Sequence, residues 1–506
     1  MSDNNKGIFK SVFTLTSILI IGKLLGFVRE ITIASNFGIS PETDAYNLAM
    51  TINIVIMAIA GTALSTGMVP VLSDIKSTRS LELQNKYLSN ISNIIILTTG
   101  IFALLIIIIA PYIVEILGSG FTNEQKVLAV ELTRIGTPII VFVLTSTAFS
   151  AFLNSREVFG IPAIAGVLNN IIFIVLLFFL KINGVTGLMK VASFAYFCQV
   201  LFIIFYLPKQ NYKHKMIVDF KDKNMIKTIS IMIPIIMGAA VQQINVLIDK
   251  MIATSLTPGS ISALNYANIL NLTILTVFIM AISTIIFPRL ANAASWKDYS
   301  SMVSTTEKAI RLVILITIPS TIFIVLLADD IVRVIFERGV FDSKDTSMTS
   351  TALKFYSIGL IGFGIREVLH KVFYSLKNTR TVMINGIIAV IINILLNFAL
   401  APLMGHAGLA LATSISGIIT TILLIRSLRK TKVQLKFSKV LYFLILILVI
   451  SLIMGVIIIT IGHLINGWHP LIILVIQILI GSGVYVLLSL LARVKEFYFL
   501  RTLLKK

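Results

Sequence analysis

The segment AYNLAMTINIVIMAIAGTALSTGMVP, residues 45–70, recurs in weakened form as ALNYANILNLTILTVFIMAISTIIFP, residues 263–288. Three matched pairs share an offset of 218 positions, namely Ala45 with Ala263, Asn53 with Asn271, and Pro70 with Pro288. Further matches share an offset of 221 positions, namely Phe152 with Phe373, and GVTGL at 184–188 with GHAGL at 405–409. Two related halves of about six helices each are typical of membrane transporters that are built from repeats.

The composition indicates a chain that lies almost entirely in a membrane. Hydrophobic residues make up 57% of its 506 residues and charged residues only 13%, whereas a soluble domain carries about 25% charged residues. We therefore predict an all-α polytopic membrane protein with about 14 transmembrane helices. The predicted spans lie near 11–35, 44–72, 88–114, 127–153, 159–180, 188–207, 228–254, 261–287, 309–328, 349–375, 382–402, 407–425, 440–463 and 469–491.

The repeat and the span pattern together predict the lobe boundaries. We expect an N-lobe of six helices over 1–208, a cytoplasmic inter-lobe linker over 209–227 and a C-lobe of six helices over 228–430. The two last helices and a cytoplasmic tail fill 437–506 and have no partner in the first half. No cleavable signal-peptide pattern opens the chain, and its single cysteine, Cys198, excludes a disulfide framework within the chain.

The net charge of +20 is unevenly distributed among the predicted connections. Alternate connections hold about 30 Lys and Arg on one side and about 6 on the other, and the positive-inside rule places the basic side in the cytoplasm. Both termini are therefore predicted to be cytoplasmic. No basic stripe with interleaved aromatic residues is present, so nucleic acid is not expected as a partner.

The first span carries three charged residues, Lys23, Arg29 and Glu30, and Asp44 opens the second span. Charge within the hydrocarbon layer is costly and usually functional. One interpretation is a cationic, water-filled cavity that attracts an anionic substrate. The alternative is a structural set of ion pairs near one interface.

A second group of polar residues could bind a cation. Asp249 lies in the seventh predicted span with Lys250 beside it, Asn393 and Asn397 are one turn apart in the eleventh, and Thr413 is in the twelfth. One carboxylate with amide and hydroxyl oxygens suits sodium, and Asp249 alone could instead exchange a proton. The alternative is interhelical hydrogen bonding, with Asp249 paired to a cation.

Arg366 and Glu367 in the tenth predicted span are adjacent, so they do not face each other and each needs a partner elsewhere. A role in substrate binding and a role in structural pairing are both open for them. The sequence shows no phosphate-binding loop and no nucleophile–base motif, so we predict a transporter and not an enzyme.

Several stretches carry a resemblance to a known family, among them GKLLGFVREITIASNFGISPETDAYNLAM at 22–50, FLNSREVFGIPAIAGVLNN at 152–170 and QINVLIDKMIATSL at 243–256. The chain resembles the MurJ/MviN family, the lipid II flippases of the MOP superfamily. The resemblance implies 14 helices in two lobes, with a groove for the polyprenyl tail along the last two helices. It further implies translocation of an undecaprenyl-diphosphate-linked peptidoglycan precursor from the inner to the outer leaflet of the bacterial cytoplasmic membrane.

The resemblance also implies roles for particular residues. Arg29 matches an essential arginine of the family, Asp44 matches the acidic residue of its TDA motif, and Asn53 matches an asparagine of its second span. Lys23 stands at another essential arginine position, where it keeps the charge but loses the bidentate fork. The residues that resemble the family's sodium site are Asp249, Asn393, Asn397 and Thr413, with Asn397 standing where a carboxylate can occur.

At other positions the sequence departs from the family pattern. Uncharged residues replace charged residues of the second and eighth spans at Ile56, Met57, Gly61, Asn268, Ile269 and Leu272. The central cavity is therefore expected to be less cationic, and the cargo could instead be another polyprenyl-linked glycan, such as an exopolysaccharide, teichoic or O-antigen unit. A cation-coupled drug exporter of the same superfamily and a non-transporting scaffold of a cell-wall synthesis complex are further alternatives.

The expected partners are a polyprenyl-diphosphate-linked saccharide and membrane lipid, and cell-wall synthases are left open as protein partners. No cofactor is expected. Sodium or proton coupling and the membrane potential are the candidate driving forces, since moving one unit charge through 100 mV is worth about 2.3 kcal/mol.

Overall fold

The computed structural model describes residues 3–78, 81–180, 184–435, 437–465 and 467–497. Every regular element in those ranges is helical, which confirms the predicted all-α fold. The helices of the first half are α1 (Asp3–Phe37), α2 (Pro41–Thr78), α3 (Leu81–Leu117), α4 (Asn123–Gly136), α5 (Pro138–Ser155), α6 (Gly160–Phe179), α7 (Gly184–Tyr206) and α8 (Lys223–Thr254).

The second half continues in the same way. Its helices are α9 (Ser260–Ile274), α10 (Met280–Ser295), α11 (Tyr299–Phe336), α12 (Ser343–Ile358), α13 (Leu360–Ser375), α14 (Thr379–Met404), α15 (His406–Leu428), α16 (Phe437–Leu464) and α17 (Pro470–Leu491). A π-helical turn, Leu275–Ile279, joins α9 to α10, and a 3₁₀ turn, Leu207–Gln210, follows α7.

Eleven helical stretches of the described residues are long and apolar enough to cross a membrane. The predicted spans near 11–35, 261–287 and 349–375 are helical but are not among these eleven. The first of them carries three charges, and the other two are each divided into shorter helices. The chain is therefore a multi-pass membrane protein, and the count of 14 spans stays a prediction.

Polar side chains set the starts of several helices at the points where the apolar runs begin. The Thr122 hydroxyl accepts a hydrogen bond from the backbone N–H of Gln125 at 3.3 Å, and the Gln125 side chain accepts one from the Thr122 N–H at 3.0 Å. This capping box fixes the start of α4. Asp222 likewise caps α8, since its carboxylate accepts hydrogen bonds from the N–H groups of Asn224 and Met225.

The chain separates into two compact units, residues 1–262 and residues 263–506. In the first unit α2 packs against α8, α5 and α4, and α1 packs against α6. At Gly67 an added Cβ would come within 2.9 Å of the Met232 side chain, so the absence of a side chain there allows α2 and α8 to approach closely. By its packing α8 belongs to the first unit, whereas the sequence repeat counts it with the second half.

In the second unit α11 is the central helix. It packs against α12, α13 and α16, while α14 packs on α15 and α16 on α17. Val313 on α11 and Phe373 on α13 are fully buried in this core. The two last helices are therefore attached to the second unit through α11, and the predicted lobe boundaries themselves stay a prediction.

Residues that the repeat matches occupy equivalent environments in the two units. Asn53 and Asn271 are 0% and 1% exposed, and Phe152 and Phe373 are both fully buried. The glycines that open the GVTGL and GHAGL segments, Gly184 and Gly405, have φ of +69° and +60°, a region that favours glycine. The internal repeat therefore reflects equal structural requirements in both halves.

Polar side chains of α3 form hydrogen bonds with the backbone of the predicted linker, residues 209–227. Asn85 donates to the Asn211 carbonyl at 2.8 Å, and Asn93 donates to the carbonyls of Lys215 and Ile217 at 2.9 and 3.0 Å. These bonds satisfy backbone groups of a segment that has no regular secondary structure.

Asn90 makes the closest of these contacts with the linker. Its amide donates to the Asp219 carbonyl at 2.8 Å and accepts from the Asp219 N–H at 2.6 Å. Arg156 fastens the start of the linker, because it donates to the Gln84 side chain at 2.7 and 3.0 Å and to the Gln210 carbonyl. This arrangement is absent from the sequence-based predictions, although the spacing of Asn85, Asn90 and Asn93 on one helix could have indicated it.

Candidate functional site

Two glycines bring the first span close to α6. An added Cβ at Gly22 would lie 3.4 Å from Val167, and the Asn170 amide donates to the Gly22 carbonyl at 3.2 Å. Gly26 follows four residues later, so both glycines lie on the same face of α1. This is the small-residue packing that allows membrane helices to approach closely.

Arg29 lies at the same contact between α1 and α6. Its guanidinium donates to the Glu30 carboxylate at 2.8 Å and lies 5.3 Å from the centre of the Phe173 ring. Tyr46 and Tyr196 are close enough to interact electrostatically with it. The cation predicted in the first span is therefore paired with a carboxylate and lies against the Phe173 ring.

The pairing leaves hydrogen-bonding capacity on Arg29. Its side chain is 25% exposed, and its Nε is buried and makes no hydrogen bond with the residues that the structure describes. A guanidinium has five N–H donors in a planar fork, which suits two phosphate oxygens. Arg29 can thus hold Glu30 and still donate to an anionic ligand.

Lys23 lies on another face of α1. Six residues separate it from Arg29, which at about 100° per residue turns the two side chains about 120° apart. Lys23 is exposed, and no ion pair of the described residues includes it. Of the predicted cluster the structure therefore joins Arg29 and Glu30, and it does not join Lys23 to them.

Asp44 is 2% exposed and caps the start of α9. Its carboxylate accepts from the Gly259 N–H at 2.7 Å, from the Ser262 N–H at 2.8 Å and from the Ser262 hydroxyl at 2.7 Å. A carboxylate at a helix N-terminus is stabilised both by these donors and by the helix dipole. Asp44 therefore fixes the position of a helix start within the first unit.

Lys250 is a charged neighbour that the sequence indicated only as a partner for Asp249. It lies close enough to both Asp44 and Asp249 for electrostatic attraction, and Asp44 makes the larger contribution. Asp249 also accepts a hydrogen bond from the Asn245 amide at 3.4 Å. One ammonium group thus lies near carboxylates of α2 and α8, the two helices that form the most extensive helix–helix contact of the first unit.

Asn53 is buried in the packing of α2 against α4. Its amide donates to the Ala49 carbonyl at 3.1 Å, and an added Cβ at Gly136 would lie 2.6 Å from its Nδ2. Because it is 0% exposed, Asn53 is a packing residue in this structure.

In the second unit Arg366 and Glu367 point to different partners, as expected for neighbours on a helix. Glu367 pairs with Lys371 one turn later at 3.1 Å, and the Arg366 guanidinium lies 5.0 Å from the centre of the Phe363 ring. His370 lies close enough to Arg366 for their charges to interact.

Three of the four predicted sodium ligands come together in the second unit. Asn397 donates to the side-chain amide oxygen of Asn393 at 3.1 Å, Asn393 donates to the Thr413 hydroxyl at 3.5 Å, and Thr413 donates to the Leu409 backbone carbonyl at 3.0 Å. These are neutral oxygens of the kind that hard cations accept. Asp249 belongs to the first unit, and the described residues contain no group of three or more acidic, His or Cys side chains that could hold a metal ion.

The ligand atoms that Asn393, Asn397 and Thr413 offer determine which ions these residues could bind. Neutral amide and hydroxyl oxygens without a carboxylate match the weak binding of a monovalent cation and not that of a divalent cation. The three side chains therefore fit sodium in type, while their present hydrogen bonds also satisfy the alternative interpretation of interhelical bonding.

Comparisons with known proteins extend over most of the chain. The model of a family described as Lipid II flippase MurJ matches residues 33–479. A probable lipid II flippase MurJ of Buchnera aphidicola subsp. Baizongia pistaciae is 30% identical over 468 residues, which cover 88% of each chain. The lipid II flippase MurJ of Burkholderia cenocepacia is 28% identical over 435 residues, which cover 84% of each chain.

Solved structures agree with the sequence relatives. A lipid II flippase MurJ in an inward closed conformation has a TM-score of 0.82 and 28% identity, over 95% of this chain and 98% of that chain. A multidrug resistance MATE family transporter of the MOP superfamily has a TM-score of 0.68 at 15% identity, over 83% and 99%, and shares the fold alone. With a family model that spans most of its length, this chain belongs to the MurJ family of lipid II flippases.

Proposed function

We propose that this protein flips lipid II, the undecaprenyl-diphosphate-linked peptidoglycan precursor, from the inner to the outer leaflet of the bacterial inner membrane for cell-wall synthesis. The observation that carries this proposal is the match of residues 33–479 to the lipid II flippase family. Arg29 supports it on the substrate side, as a partly buried guanidinium with donors that remain available after it has bound Glu30.

Arg29 is proposed as a ligand of the diphosphate. A guanidinium binds phosphate oxygens through two parallel N–H donors, and such charge-assisted bonds are roughly twice as strong as neutral ones. Glu30 reduces the net positive charge at Arg29 and orients the guanidinium, so that the diphosphate is bound and can still be released. Lys23, Arg366 and Glu367 are proposed as further charged positions on the path of the headgroup.

Asp44 and Asn53 are proposed as positioning residues. Both are buried, and both hold helix backbone in place. We further propose transport by alternating access, the mechanism typical of transporters that are built from two repeats. Both termini are proposed to lie in the cytoplasm, where the positive-inside rule places the basic connections.

Coupling to an ion gradient is proposed in two separate forms. The oxygens of Asn393, Asn397 and Thr413 are proposed to hold sodium in the second unit, and Asp249 is proposed as a separate ionisable position in the first. The membrane potential is the third proposed driving force, since charged groups that cross it contribute about 2.3 kcal/mol per 100 mV.

Complementation tests the proposed function. Cells depleted of their own lipid II flippase are supplied with this chain, and survival is scored. We expect rescue by the unaltered chain and by Arg380→Ala, which removes an exposed arginine at the start of α14. Arg29→Ala is expected to abolish rescue at equal membrane abundance, and Arg29→Lys to rescue only in part because the bidentate fork is lost.

A second candidate cargo is another polyprenyl-linked glycan. It is favoured by the uncharged residues Ile56 and Met57, one half-buried and one buried in α2, where the family pattern carries arginines. Two results together would establish this alternative. The chain would fail to rescue cells depleted of their lipid II flippase at verified membrane abundance, and it would rescue a strain that lacks a flippase for exopolysaccharide or O-antigen units.

A further inference from the structure

A cavity of about 440 Å³ opens in the second unit where α11 and α16 meet the residues that follow α17. Four cationic side chains and one carboxylate line it, together with the rings of Tyr442 and Phe443. These charged residues are Arg311, Lys439, Arg493, Lys495 and Glu496. The cavity therefore carries an excess of positive charge, and the proposed transport function does not account for it.

The single carboxylate is already engaged. Glu496 pairs with Arg311 at 3.1 Å, and the two side chains are only 11% and 25% exposed. Arg311 also lies 5.6 Å from the centre of the Phe443 ring, and its Nε makes no hydrogen bond with the described residues. The Arg311–Glu496 pair thus forms a fixed inner wall that still presents a donor.

The other three cations have no acidic partner within the described part of the chain. Lys439, Arg493 and Lys495 are exposed around the mouth of the cavity, and no ion pair of the described residues includes them. Since α16 begins at Phe437, its first turn adds the partial positive charge of a helix N-terminus. An anion at the mouth would meet several donors at once.

The position of the cavity along the helices identifies the kind of anion. It lies at the end of two spans, one of which begins at Ser438 while the other ends at Leu491. Tyr442 is 70% exposed there, and an aromatic ring with a polar tip is typical of the level where hydrocarbon meets headgroups. Apolar side chains continue along α16 from this level, with Leu441 and Ile445 exposed.

We propose that this cavity binds the phosphate of an anionic lipid, whose acyl or prenyl chains lie along the exposed apolar face of α16. Basic pockets between membrane helices at the cytoplasmic side are suited to anionic headgroups, and each cation near the surface contributes attraction. The phosphate belongs either to a glycerophospholipid or to a polyprenyl diphosphate. The proposal does not depend on lipid II being the cargo.

The backbone at Arg493 offers a variant that removes charge without disturbing the fold. Arg493 follows the end of α17 with φ of +51°, a left-handed conformation that strains an L-residue and that glycine adopts freely. Arg493→Gly therefore deletes a cation of the cavity while it relaxes the backbone. Lys377→Gly is the matched control, because Lys377 has φ of +57° and does not line the cavity.

The test is lipid binding to the purified full-length chain in detergent, measured by thermal stabilisation and native mass spectrometry. Phosphatidylglycerol is expected to bind more tightly than phosphatidylcholine with the same acyl chains. The double variant Lys439→Gln with Arg493→Gly is expected to lose this preference about tenfold, whereas Lys377→Gly keeps it. Inorganic phosphate at millimolar concentration is expected to have no effect.

The remaining outcomes separate the sources of the phosphate and the failure of the proposal. If lipid II binding falls in the double variant and phosphatidylglycerol binding does not, the site takes a polyprenyl diphosphate. Equal affinities of the unaltered chain and the double variant for both lipids would overturn the proposal. Stabilisation by inorganic phosphate alone that equals the stabilisation by lipid would also overturn it.

Discussion

The carboxylate of Asp44 accepts hydrogen bonds from both the backbone N–H and the hydroxyl of Ser262, at 2.8 and 2.7 Å. The two residues are 218 positions apart, which equals the offset of the internal repeat. The residue that directly precedes the first copy thus binds the residue that directly precedes the second. Because the contact is buried, removal of either partner would leave the other without these hydrogen bonds.

Asp44→Asn is expected to destabilise the protein because three donors converge on two carboxylate oxygens, one of which becomes an NH₂ donor in the amide. Each buried donor that is left unpaired costs about 1–3 kcal/mol, and the melting temperature in detergent should fall accordingly. Ser262→Ala removes the hydroxyl but keeps the backbone donor, so its effect should be smaller. A melting temperature for Asp44→Asn equal to that of the unaltered chain would show that the cap does not contribute.

Removal of the Asn90 side chain is expected to release the linker from α3. Both hydrogen bonds between Asn90 and Asp219 are lost in Asn90→Ala, and exposed lysines such as Lys221 then become better substrates for trypsin. Limited proteolysis of the purified protein measures the rate of cleavage after Lys215 and Lys221.

The matched control for this experiment is Asn123→Ala, which removes an exposed asparagine at the start of α4. It should leave the cleavage rate unchanged. If Asn90→Ala is cleaved no faster than this control, the linker is held by its other contacts alone.

Gly136→Ala is expected to destabilise the first unit. The added methyl group would lie 2.6 Å from the Asn53 amide and 2.9 Å from the Met189 sulfur, so these buried side chains or the helices that carry them must shift. Overpacking of this kind typically costs about 1–3 kcal/mol. Thermal melting and the yield of folded protein provide the measurement.

Gly166→Ala is the control for this substitution, because nothing lies within 4 Å of the added methyl group in α6. It should be neutral, or slightly stabilising through helix propensity. Equal melting temperatures for the two variants would contradict the close packing of Asn53 against Gly136.

Replacement of sodium by choline tests the proposed ion site of the second unit. In Asn397→Asp the added carboxylate should increase stabilisation by sodium, since a buried charge favours a bound cation. Asn385→Asp on the same helix is the control, because Asn385 is buried but bonds to Thr381 and Ser427 instead. Melting curves that do not respond to sodium in the unaltered chain and in both variants would remove this group as an ion site.

Much of the fold could be predicted from local sequence properties. Apolar runs predict helices that cross a membrane, because backbone polar groups in hydrocarbon must pair within the segment. The offsets of the repeat predicted two related halves, and the equal burial of Asn53 and Asn271 agrees with them. The stretch around Arg29 and Asp44, together with those at 152–170 and 243–256, indicated the family.

The pairing of the charged side chains in the candidate site could not be predicted from local sequence properties. The six-residue spacing of Lys23 and Arg29 already places them on different faces of a helix, whereas only the structure shows that Arg29 pairs with Glu30. Helix periodicity fixes the direction of a side chain, but the partner it meets depends on which helix packs on that face.

The sequence by itself determined that the chain is helical, membrane-spanning, internally repeated and a relative of flippases, because these properties follow from residue hydropathy, periodicity and motifs. Only the tertiary structure decided that Asp44 caps α9, that the charge of Lys250 lies near it, and that α3 holds the linker. Each of these contacts joins residues more than 100 positions apart, and hydrogen bonds and ion pairs form only after packing has brought their partners within about 3 Å.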